Sequence, residues 1–137
     1  MADKKKGKVI VIPDTTGGAL EPLPRNSGSS RIPFKTRFIR ELGIQLNQIV
    51  TYVEITDPET GTPLAVSLNP VERGIINSII DPIQGTGTIR ETSGNILEFI
   101  QEYFPQLDIK EGDKVDYTII YIDGKPKATS LVKISTT

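Results

Sequence analysis

Gly112-Asp113-Lys114-Val115-Asp116-Tyr117, followed by Gly124-Lys125-Pro126-Lys127-Ala128-Thr129-Ser130-Leu131, is a phrase this chain states twice. Its earlier version is Asn47-Gln48-Ile49-Val50-Thr51-Tyr52, followed by Gly61-Thr62-Pro63-Leu64-Ala65-Val66-Ser67-Leu68. Each version runs through a turn, a Val-x-Tyr strand, a Gly turn, a proline and a last strand. The likeness extends to everything before it. Gly7 to Val71 and Gly74 to Ile134 both open on a glycine and a short apolar run, then take a Gly-rich turn and a mixed apolar and charged stretch. A repeat of about 60 to 65 residues is too long for a solenoid unit and long enough for a small domain with its own core. The expected domains are therefore residues 1–71 and 72–137.

The totals describe an ordinary soluble protein. The chain has 137 residues, 36% apolar content and a net charge of −1. No apolar run approaches the length of a membrane span. Met1 to Lys6 lacks the apolar region of a signal peptide, so a cytoplasmic location is expected. There is no cysteine, hence no disulfide framework and no thiolate metal site. Charge is uneven. Residues 1–70 hold nine Lys/Arg against seven Asp/Glu, a net of +2, and residues 71–137 hold seven against ten, a net of −3. If a phosphate backbone is bound, the first copy is the better candidate.

In the first copy, Val9 to Ile12 reads as a strand and Pro13 to Gly18 as a turn. Ala19 to Leu23 and Ile32 to Ile39 read as further strands, separated by a flexible loop at Arg25 to Ser30. A helical turn is expected through Arg40 to Gly43. Ile49 to Ile55 and Leu64 to Leu68 complete the set around an Asp57-to-Gly61 turn. In the second copy the strands are Ile75 to Ile80, Gly85 to Arg90, Ile96 to Phe104, Lys114 to Ile122 and Ala128 to Ile134. Asp123-Gly124 is a strong hairpin signal. The junction, Asn69 to Arg73, is too short for a flexible linker and implies closely juxtaposed units. Five short strands, with a longer connection between the third and fourth, describe a small all-β barrel of the OB type. The expected fold is two such barrels in tandem.

At this point the residues resemble the cold-shock domain family. Gln84-Gly85-Thr86-Gly87-Thr88-Ile89 is similar to the family's Lys-Gly-Phe-Gly-Phe-Ile strand. Glu111-Gly112-Asp113-Lys114-Val115-Asp116-Tyr117-Thr118-Ile119 is similar to its Glu-Gly-Gln-Lys-Val-Ser-Phe-Thr-Ile segment. Gly124 to Ile134 resembles its final strand. The first copy fits in outline through Gly7-Lys8-Val9, Thr16-Gly17-Gly18, Ile32 to Ile39 and Pro63 to Val71. The resemblance implies a binder of single-stranded RNA or DNA in which bases stack on aromatic rings of the first three strands.

Most of those rings are missing here. The tryptophan position of strand one falls on Val11 and Ser78. The phenylalanine positions of strand two fall on Thr86 and Thr88, and on Gly18 and Leu20. The ring positions of strand three fall on Pro33, Lys35 and Thr36, then on Leu97, Phe99 and Ile100. Phe99 alone keeps a ring at a platform position. Stacking contributes roughly 1–3 kcal/mol per base, so such losses matter. A basic stripe offers a replacement: Arg31, Lys35, Arg37 and Arg40 along the first copy's third strand, with Lys4, Lys5, Lys6 and Lys8 in a frayed N-terminal tail. Arg31, Lys35 and Arg37 share a face only if that strand is regular, and Pro33 hints at a sheet edge. Phe34, Phe38, Tyr52 and Tyr117 read as core.

Catalytic chemistry is not in evidence. Histidine is absent, as is cysteine. Gly85-Thr86-Gly87 lacks the third glycine of a dinucleotide fingerprint. Asp108, Glu111, Asp113 and Asp116 lack Ca²⁺-loop spacing and read as a solvated acidic loop. No metal or cofactor is expected. The resemblance to the family favours a non-enzymatic single-stranded nucleic-acid binding protein. The alternative is a structural or protein-interaction module, with a protein partner or self-assembly, that kept the barrel and lost nucleic-acid binding.

Overall fold

The computed structural model describes residues 5–11, 17–23 and 31–134. Pro13 to Thr16 of the turn expected at Pro13 to Gly18 and the loop at Arg25 to Ser30 lie outside them, while Gly17 and Gly18 belong to a strand. The chain divides into two compact units, with the boundary between Leu68 and Asn69.

In the first unit the strands are β1 (Lys5–Val11), β2 (Gly17–Leu23), β3 (Ile32–Lys35), β4 (Ile49–Thr56) and β5 (Pro63–Val66), with a short helix α1 (Ile39–Leu42) between β3 and β4. They close into a barrel in the order β1-β2-β3-β5-β4, with β1 also paired to β4. All pairs are antiparallel except β3 and β5, which run parallel at Phe34 and Ala65. The second unit repeats this. β6 (Glu72–Asp81), β7 (Thr86–Glu91), β8 (Ile96–Ile100), β9 (Lys114–Ile122) and β10 (Lys125–Lys133) close in the order β10-β8-β7-β6-β9. A 3₁₀ turn at Phe104–Leu107 stands where α1 stands in the first unit. These are two closed five-stranded barrels of OB strand order, the tandem arrangement expected from the sequence.

The register shows the duplication residue by residue. Gly7 faces Val50 and Gly74 faces Val115. Val9 faces Leu20 and Ile76 faces Ile89. Gly18 faces Phe34 and Gly87 faces Phe99. Phe34 meets Ala65 and Phe99 meets Ala128 across the parallel pairs. Both first strands carry an irregularity after the second of these pairs, at Ile10 and at Asn77. It re-aims the next residue, as bulges do.

The inward residues form the cores. Val9, Leu20, Ile32, Phe34, Ile44, Val50, Tyr52, Ala65 and Leu68 cluster in the first barrel, and Ile39 and Leu42 of α1 pack onto them. Phe38 and Tyr117 are buried too, so all four aromatics expected in the core are there. Burial pushes the Tyr52 and Tyr117 phenols above their ordinary range, with nearby glutamates adding to it.

Three expectations change. Lys5, Lys6 and Lys8 are not a frayed tail, because β1 begins at Lys5 and pairs on both sides. Pro33 does not mark an edge: β3 lies between β2 and β5, and Pro33 faces Ala19. The acidic run of the second copy is not a solvated loop. Asp116 is buried with its Oδ1 3.0 Å from Arg73 Nε. Glu111 accepts the Ile79 N–H at 2.9 Å, and Asp113 accepts the Lys110 N–H at 2.8 Å. Glu111 and Asp113 thus satisfy backbone donors and the buried Asp116 carboxylate meets an exposed arginine, while Asp108 is exposed as read from the sequence. Among the described residues no helix is long and apolar enough to cross a membrane, and no cluster of acidic, His or Cys side chains is disposed to hold a metal ion.

Candidate nucleic-acid interface

Alternation along a strand sends successive side chains to opposite faces. In β1, Gly7 and Val9 turn inward, so Lys6 and Lys8 turn outward. After the irregularity at Ile10, Val11 is also outward and 36% exposed. In β3, Ile32 and Phe34 are buried while Pro33 and Lys35 are exposed, and Arg31 is exposed just before them. The ladders set these side by side. Lys6 faces Leu23, Lys8 faces Glu21, and Ala19 lies between Val11 and Pro33. The outer face of β1, β2 and β3 therefore gathers Lys6, Lys8, Arg31 and Lys35 around small and apolar residues, with Glu21 as its acidic member.

Other candidate residues fall elsewhere. Lys5 has the opposite parity and reaches Glu54 at 3.5 Å. Arg37 and Arg40 are exposed but lie beyond the end of β3, and the Arg37 guanidinium sits 5.0 Å from the centroid of the Phe38 ring. Such a contact holds the cation over an aromatic face. Lys4 lies outside the described residues.

Lys35 has a partner that the sequence did not announce. Its ammonium is 3.2 Å from Asp57 Oδ2, and the Asp57 side chain is 3% exposed. Asp57 Oδ1 accepts the Glu59 N–H at 2.8 Å. That N–H holds the carboxyl below the usual carboxylate range against the opposing effect of burial, and Lys35 adds to it. Asp-Pro-Glu-Thr-Gly reads as a turn from residue types alone. That the same aspartate anchors a lysine of the basic face depends on β3 and β5 lying side by side, a long-range fact.

Phe99 is corrected. It is 2% exposed, faces Gly87 across the ladder, and stacks inward on Phe104 with centroids 5.6 Å apart. Its parity is that of Leu97, so the outward residues of β8 are Ile96, Glu98 and Ile100. The same register moves the first copy's strand-two positions from Gly18 and Leu20 to Gly17 and Ala19, since Gly18 answers Gly87. The available signal was a glycine opposite a phenylalanine in each copy. A Cβ on Gly87 would meet the Phe99 ring at 2.6 Å, and one on Gly18 would meet the Phe34 ring at 3.0 Å. Each ring lies over its glycine, inside the barrel.

The matching outer face of the second barrel is polar and aliphatic. Ser78 and Thr88 share a hydrogen bond of 2.7 Å, and Asn77 donates to Thr88 at 3.0 Å. Beside them is a cleft of about 120 Å³ lined by Ile80, Thr86, Gly87, Phe99, Ile100 and Ile122. Glu98 and Lys127 also line it and pair at 3.1 Å.

No family model matches this chain, and no curated protein matches it. Solved structures do. The chain is similar to tandem cold-shock domains. The Drosophila Unr CSD456 structure matches at 18% identity over 100% of this chain and 64% of that one, with a TM-score of 0.48. A multidomain protein with nucleic acid binding domains from Streptococcus pneumoniae matches at 10% identity over 98% of this chain and 52% of that one, with a TM-score of 0.37. The chain thus spans less than two thirds of either structure.

Proposed function

We propose that this protein binds single-stranded nucleic acid, RNA or DNA, through its phosphates, using the outer face of β1, β2 and β3 in the first barrel. The observation that supports the reading is that Lys6, Lys8, Arg31 and Lys35 all fall on the outer face of these strands, with Lys6 level with Leu23 and Lys35 level with Gly17 at the two ends of β2 and Glu21 across from Lys8. A set of cations on adjacent strands suits a flexible phosphate backbone, and the small residues between them let the strand approach. The second barrel, with an outer face of Ser78, Thr86, Thr88 and Glu98, has no part in this contact. Without rings the binding is weak and tolerant of sequence, because the roughly 1–3 kcal/mol that stacking adds per base is lost and phosphate contacts carry no sequence information.

The test is fluorescence anisotropy with labelled oligo-dT and oligo-rU across a salt series. Three or four phosphate contacts give a log–log salt slope of about −2 to −3 on a single strand. A Lys6→Glu, Lys8→Glu double variant is expected to lose at least tenfold in affinity at low salt. Absence of detectable binding at low salt ends the proposal.

A further inference from the structure

The aromatic residues of this chain are four tyrosines and four phenylalanines, and the described residues include them all. Of these rings Tyr121 alone is exposed, at 65%. It lies on the β9–β10 hairpin, directly across from Pro126. The pairing of β9 with β6 ends at Tyr117, and β10 meets β8 at Ala128. Beyond those points the two strands pair only with each other among the described residues, as a two-stranded ribbon out to Ile122 and Lys125. A two-residue turn closes the ribbon. Asp123 and Gly124 have φ of 52° and 77°, both positive, as a type I′ turn requires. The ribbon is short, tightly turned and anchored in the barrel, and it holds the Tyr121 ring out to solvent.

The duplication isolates what is particular to this ribbon. In the first barrel Thr56 stands across from Pro63, with Thr62 and Leu64 on either side of that proline. In the second, Tyr121 stands across from Pro126, with Lys125 and Lys127 on either side. The same barrel thus closes without a ring or a cation at this place, so the fold does not account for them. Lys127 pairs with Glu98 and lines the cleft. Lys125 is exposed and has no acidic partner among the described residues. Asp123, in the turn, is the acidic member of the ribbon tip. We propose that this ribbon is a nucleobase-stacking site, at which a base of a single strand lies on the Tyr121 ring and Lys125 meets the neighbouring phosphate. An exposed ring beside an unpaired cation matches the flat base and adjacent charge of a nucleotide, and every base has a π-face, so the contact is tolerant of sequence. This inference rests on the nucleic-acid reading above and adds to it the ring that the outer face of β1, β2 and β3 lacks.

The test is fluorescence anisotropy with the full chain at about 20 mM salt, where phosphate contacts are strongest. The probes are labelled oligo-dT and an abasic deoxyribose-phosphate strand of the same length. Tyr121→Ala is expected to weaken oligo-dT binding by about fivefold or more, as the loss of one stacked base does, and to bind the abasic strand like wild type. Tyr121→Phe keeps the ring and is expected to match wild type on both. Lys125→Gln is expected to weaken both strands alike. Positions 121 and 125 are on the surface, and circular dichroism confirms that each variant is folded. A Tyr121→Ala protein that binds oligo-dT like wild type overturns this inference and leaves the phosphate reading standing. So does an equal loss on the abasic strand, or a Tyr121→Phe variant as weak as Tyr121→Ala. A wild type that binds neither strand overturns both together.

Discussion

Asp57 shows how one buried residue ties a turn to the outer face of the first barrel. Its carboxylate accepts the Glu59 N–H and faces Lys35 at 3.2 Å. Its folded pKa lies below its unfolded value, so it stabilises the protein above the ordinary carboxylate range, and that stability is lost as pH falls through about 4 and below. Asp57→Asn is therefore expected to lower the melting temperature at neutral pH and to flatten its decline in acid, measured by circular dichroism from neutral to acid pH. Tyr52 is the reverse case, a buried hydroxyl with no hydrogen-bond partner among the described residues. Removing an unsatisfied polar atom relieves a desolvation cost, so Tyr52→Phe is expected to raise the unfolding free energy by about 1 kcal/mol in urea titration. A loss of stability instead would show that the hydroxyl is hydrogen-bonded in solution. Burial of Tyr52 is readable from its alternation with polar neighbours. The orphaned hydroxyl is not, because it depends on what the opposite wall of the barrel offers.

Parity separates what the sequence could tell about each strand from what it could not. Strand existence follows from β-branched runs such as Val9-Ile10-Val11 and from the glycines and prolines that bound them. Facing does not follow so easily, because a single irregularity at Ile10 or Asn77 reverses every outward assignment beyond it. Phe99 shows a second limit: β8 is regular, but which of its faces turns inward is set by the pairing of Phe99 with Gly87, and Phe99 lies inward while Thr86 and Thr88 are outward on β7 as read from the sequence. The basic face was only half legible. Arg31 and Lys35 stand out in the third strand, but the place of Lys6 and Lys8 beside them needed the β1–β2 pairing. Two predictions belong at this scale. Gly87→Ala forces a Cβ against the Ser78 carbonyl and the Phe99 ring, and overpacking of this kind is expected to destabilise the second barrel by at least about 2 kcal/mol in urea titration. Thr86→Phe with Thr88→Phe places two rings on an outer face that lacks them. Stacking of roughly 1–3 kcal/mol per base should tighten oligo-dT binding by at least tenfold over wild type. Unchanged affinity would mean that this face of the second barrel is not open to a strand.

For the molecule as a whole, the duplication was the most legible feature, since a repeat survives changes at any one position. Each barrel completes its sheet with its own strands, and none is shared. Residues 69–137 made alone are therefore expected to give a dispersed NMR spectrum and one cooperative thermal transition. A disordered fragment would show that the second barrel needs the first. The place of closure has a consequence of its own. Each barrel is shut by a parallel pair registered at one couple, Phe34 with Ala65 and Phe99 with Ala128, a large inward ring against a small side chain. Local opening takes the path that breaks the fewest bonds. In native-state hydrogen exchange the amides along β5 and β10 that face this seam should lose protection ahead of those in β1 and β6. The barrels then breathe like a book at its fore-edge, and the first thing uncovered is the phenylalanine ring that the closed state keeps from view.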